Sequence, residues 1–83
     1  MPKLKIKAIY DKPDIIDRYT IYYNTQCQNY DIPMFDCLCV GNNPAVFCQH
    51  SIGQIGKHNG KKIKFENLPE IVQQAVKQDM TAE

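Results

Sequence analysis

The sequence predicts a small α+β domain: an antiparallel sheet of about four strands with a C-terminal helix packed on one face. Two observations predict it. Apolar and polar residues alternate with period two in several short stretches, and one stretch of helical period closes the chain. Strands grouped ahead of a terminal helix favour an antiparallel sheet with the helix laid across it. Eighty-three residues leave room for one core, so a single domain over 1–83 is expected.

Each element has its own justification. Leu4, Ile6, Ala8 and Tyr10 alternate with Lys3, Lys5, Lys7 and Ile9, which predicts a first strand over 3–9 with one apolar face. Asp11-Lys12-Pro13-Asp14 is turn chemistry, since proline fixes one dihedral and aspartates bond back to nearby amides. Residues 17–23 are dense in aromatic and β-branched side chains and predict a second strand. Tyr19, Ile21 and Tyr23 share one face and Thr20 and Tyr22 the other, so both faces carry tyrosine and a central position is expected.

Residues 24–33 are polar and read as a loop, and 35–40 return to strand composition. Gly41-Asn42-Asn43-Pro44 stops that strand, because proline cannot donate to a ladder. From 41 to 60 no periodicity is sustained, and all four glycines fall there. The stretch reads as one long loop, pinned to the body by Ile52 and Ile55. Residues 61–65 alternate again as a short strand. Pro69 and Glu70 suit the first turn of a helix over 69–79, whose inward stripe is Leu68, Val72, Ala75, Val76 and Met80.

Composition excludes several classes. A hydrophobic share of 43% and a charged share of 23% are globular, not disordered. Ten basic and nine acidic groups are spread evenly and give a net charge of +1, so neither half is a polyanion-binding arm. No apolar run approaches the roughly 20 residues of a membrane span, and the first residues lack the apolar core of a signal peptide. A cytoplasmic location is expected, with the four cysteines as free thiols.

Asp17-Arg18-Tyr19-Thr20, Asn43-Pro44, Gln49-His50 and the stretch from Gly60 to Pro69 occur in an order that resembles a family of small uncharacterised bacterial and phage proteins. In that family a "DRYT" strand precedes an "NP…QH" loop, a "GK-I-F-LP" segment and a terminal helix. The resemblance covers about residues 17–76 and implies a shared fold and a bacterial or mobile-element origin, with no activity assigned. The cysteines Cys37, Cys39 and Cys48 depart from the family's loop, which is rich in glycine, serine and proline.

Four constellations are candidates for chemistry. Cys37-x-Cys39 with Cys48-x-His50 offers four ligands to a tetrahedral zinc, although structural zinc pairs usually sit two to four residues apart on a tight turn. Alternation with Leu38 and Val40 makes Cys37 and Cys39 ordinary core positions instead. Cys48 beside His50 offers a thiol and a base, but no orienting third group is evident. Asp17 and His50 are candidates for acid–base work, against a plain role for His50 in fastening the loop. Lys57, Lys61, Lys62 and Lys64 form the one local excess of charge, suited to phosphate or simply to guarding an edge strand.

These readings give an expected non-enzymatic interaction or accessory module that uses the 41–60 loop and a sheet face, self-associates, and needs no cofactor. Gln49, His50, Lys57, Lys61 and Lys62 are the expected binding residues. Nucleic-acid or phosphate binding through 57–64 is the first alternative. A small enzyme or metal site at Cys48 and His50 is the second.

Overall fold

The computed structural model describes residues 5–45 and 47–81. Residues 3 and 4 of the expected first strand lie outside them. Among the described residues are five strands: β1 (Ile6–Asp11), β2 (Tyr19–Cys27), β3 (Met34–Val40), β4 (Cys48–Gly53) and β5 (Lys61–Ile63). One helix follows, α1 (Glu70–Thr81). Every pairing is antiparallel, in the order β4-β3-β2-β1-β5. The expected α+β architecture is therefore present, with one strand more than expected and with β2 at the centre.

The alternation along β2 divides the core in two. Ile9, Tyr19, Ile21, Tyr23, Leu38 and Val40 pack under Leu68, Val72 and Val76, on the face that α1 covers. Ala8, Tyr10, Tyr22, Cys37 and Cys39 form a second cluster on the opposite face, with Phe35, Phe47 and Ile55 against it. The expected single apolar face of β1 is corrected here. Register slips between Ile6 and Ala8, and a bulge of that kind turns the strand by one residue. Ile6 and Ile9 thus face the helix, while Ala8 and Tyr10 face away.

The expected 41–60 loop is also corrected. Its middle is β4, paired along its whole length with β3 from Val40↔Cys48 to Phe35↔Gly53. The remainder, 54–60, is a strap across the second face. β4 and β5 run in the same direction at opposite edges, so the chain must leave β4 beside Phe35 and enter β5 beside Asp11. The sideways part of that crossing alone, four strand spacings of about 4.8 Å, is roughly 19 Å, and the chain must also travel back along the strands. The eight steps from Gly53 to Lys61 span at most about 27 Å, so the strap has little slack.

Its path is fixed by polar anchors. The Tyr22 hydroxyl bonds the Gln54 carbonyl at 3.2 Å and Asn59 Oδ1 at 2.9 Å. Asn59 Nδ2 in turn donates to the Gln54 and Gly56 carbonyls at 2.8 and 3.1 Å. Tyr10 meets Tyr22 edge to face beneath, with ring centres 6.0 Å apart. Among the described residues no helix is long and apolar enough to cross a membrane.

Candidate functional site

A helix is about 10 Å across and cannot roof a five-stranded sheet. The face over β4 stays open as a result. Register places Cys48 beside Val40, His50 beside Leu38 and Ile52 beside Asp36, on the helix side. Gln49 and Ser51 pair with Cys39 and Cys37 on the strap side. Between β4 and α1 lies a hollow of about 480 Å³, bordered by Leu38, Pro44, Cys48, His50, Ala75 and Asp79.

A polar chain closes one wall of that hollow. Tyr23, 1% exposed, donates its hydroxyl to Asp79 Oδ2 at 2.6 Å. The other oxygen of Asp79 is held by His50 Nε2. The Asp79 side chain is 14% exposed and that of His50 is 71% exposed, so the chain runs from the core to water. Asp79 sits in the last turn of α1, where the helix dipole is negative and no basic residue compensates it. Tyr23 and His50 supply that compensation. The carboxylate accepts, so Nε2 must carry the hydrogen. Burial first, then the hydrogen bond to Asp79 and its charge, push the Tyr23 hydroxyl well above its ordinary range.

Asp79 was not a sequence candidate, although it carried a signal. Position 79 continues the stripe of 72, 75, 76 and 80, so an acid there stands on the helix's inward face. Its partners lie 29 and 56 residues away, beyond any spacing argument.

The expected catalytic and metal groups do not converge. Asp17 lies in the turn before β2, where its charge is felt by Cys37 and Cys39 on the strap side. It borders neither hollow beside His50. Cys37 and Cys39 approach to 4.0 Å between sulfurs, but they face away from Cys48 and His50. The tetrahedral quartet is corrected accordingly, because alternation on paired strands sends its two halves to opposite faces. No cluster of three or more metal-ligating side chains occurs among the described residues. The contact with Cys39, and then burial, push the Cys37 thiol up. Burial, and then the charge of Asp79, raise the Cys48 thiol as well. Neither is poised as a thiolate.

The lysines divide too. Lys61, Lys62 and Lys64 border a groove of about 610 Å³ along β5, with Asp11, Ile63 and Asn67. Lys57 lies apart from that lining, in the 3-10 turn Lys57–Asn59 of the strap. The expected binding set is thus split among two edges and both faces. Comparison with protein-family models, curated proteins and solved structures finds no match for this chain.

Proposed function

We propose that the chain is a non-enzymatic interaction module that joins a partner by adding a strand at β4, with a second copy of itself as the partner. One observation carries this reading: the two edges of the sheet are built oppositely. β5 is three residues long and is bordered by Lys61, Lys62 and Lys64, which is how proteins blunt an edge. β4 is six residues long, regular and exposed, and its sequence CQHSIG holds no lysine, acid or proline. Its outer amides and carbonyls are a ready template for another strand. Pairing two β4 strands about a two-fold axis sets no like charges against each other.

Light scattering across about 1 to 100 µM tests it, the range in which a small interface of this kind associates. The native chain is expected to move from monomer towards dimer mass. Gln49→Lys with Ser51→Lys puts two exposed ammoniums on the edge and is expected to weaken association at least tenfold. A native chain that remains monomeric throughout sinks self-pairing.

The hollow beside His50 favours a second reading, an enzyme using Cys48 and His50. Against it, partial burial of the sulfur and then the charge of Asp79 raise the Cys48 thiol, away from the thiolate. His50 turns Nε2 to Asp79, and its observed bond ties β4 to α1. That is a fastening role.

A further inference from the structure

We infer that the β5 edge is a second, separate binding site, for the sugar–phosphate backbone of a nucleic acid, with no reading of bases. A groove of about 610 Å³ runs along β5, and Lys61, Lys62 and Lys64 border it. Asp11 is the acid in its lining, and its charge is already matched. Arg18 Nε donates to Oδ1 at 2.7 Å and Nη2 to Oδ2 at 3.2 Å, a two-point pair. Among the described residues none of the three lysines has an acidic partner within ion-pair distance. The groove is therefore cationic although the chain's net charge is only +1.

The arrangement selects an extended anion over a compact one. Lys61 pairs with Asp11 and Lys62 with Tyr10, so their side chains leave the edge on opposite sides. Lys64 remains extended, with φ −94° and ψ 160°, and alternation returns it to the side of Lys62. Ammoniums that leave the edge on both of its sides suit a chain of phosphates lying along it better than a single phosphate. The basic border continues past Gly60, where the stem of Lys12 packs and its Nζ bonds the His58 carbonyl at 3.3 Å. Among the described residues no aromatic ring borders the groove, so it lacks the platform on which bases stack. Contacts to phosphate alone position a nucleic acid without selecting its sequence. Lysines that merely guard an edge need not surround a groove. These do.

Fluorescence anisotropy with a labelled duplex of mixed sequence tests the inference between about 50 and 200 mM salt. Three phosphate contacts give a slope of roughly −2.7 in log affinity against log salt. Lys61→Gln with Lys62→Gln is expected to weaken binding at least tenfold at the lower salt and to flatten the slope. Lys61→Arg with Lys62→Arg keeps the charge and is expected to keep the affinity within twofold. Lys5→Gln with Lys7→Gln removes equal charge outside the groove and is expected to change affinity less than twofold. All four positions are exposed, so each variant folds, which circular dichroism verifies. No duplex binding at the lower salt overturns the site. Equal losses in the two glutamine variants, or binding of heparin without binding of duplex, do so as well.

Discussion

Two tyrosines next to each other on β2 do different work because a strand turns each successive side chain over. Tyr23 points under α1 and spends its hydroxyl on Asp79; Tyr22 points under the strap and spends its hydroxyl on Gln54 and Asn59. Burying a phenol is tolerable only when its oxygen finds such partners. The environment of Tyr22 also has a titration consequence. Burial above all pushes its hydroxyl from 10 up to about 12, with the Asn59 bond opposing. The unfolded chain therefore releases this proton near pH 10, while the folded chain keeps it to about pH 12. In that window the folded state holds more protons, so its stability falls as pH rises. Denaturant unfolding at pH 9, 10.5 and 12 checks this. The native chain is expected to lose stability across the series. Tyr22→Phe, already weaker at pH 9 for want of the strap's anchor, is expected to lose less. Equal alkaline losses in both would assign the effect elsewhere.

The elements differ in how openly the sequence declares them, and burial is the reason. β2, β3 and α1 are legible because each has a side that must avoid water: Tyr19, Ile21 and Tyr23, then Leu38 and Val40, then Val72 and Val76. β4 is exposed on both sides through Cys48, Gln49, His50 and Ser51, so nothing imposes a period-two pattern on it. An edge strand with no buried face reads as loop. In β1 the pattern was visible and misleading, because a bulge near Lys7 switches its faces midway. The site was legible only in part. Cys37 and Cys39 could be placed together by alternation, and the lysines by plain charge. The Tyr23–Asp79–His50 chain depends on three elements meeting in space. The strap shows the same dependence on tertiary context, and it can be tested at one residue. Gly60 has φ +108°, and a Cβ there would lie 2.5 Å from the Asp11 carbonyl oxygen. Gly60→Ala forces an unfavourable dihedral and a backbone clash together, and is expected to cost more than about 1 kcal/mol. Unfolding midpoints in urea measure it. A cost under about 0.5 kcal/mol would show that the strap does not hold β5 in its place.

On the scale of the whole molecule, an 83-residue chain buries a smaller share of its surface than a larger one and holds little stability in reserve. Here that chain covers five strands with one helix and one tight strap, and it leaves the helix side of β4 open. Adding a strand at β4 would supply the backbone bonds that this edge lacks, so association and stability are coupled if self-pairing holds. Anything that binds only the folded state raises its stability by mass action, by about 2.7 kcal/mol at a hundredfold excess over the dissociation constant. The melting temperature of the native chain is therefore expected to rise with protein concentration. Gln49→Lys with Ser51→Lys changes exposed positions without touching either core. Its melting temperature is expected to equal that of the native chain at the lowest concentration and to stay flat thereafter. Calorimetry at protein concentrations a hundredfold apart separates the possibilities. Parallel concentration dependence in both proteins would place the contact elsewhere, with the exposed Ile71 of α1 as the next surface to change. A flat native curve would mean that β4 lends the fold nothing by pairing with itself.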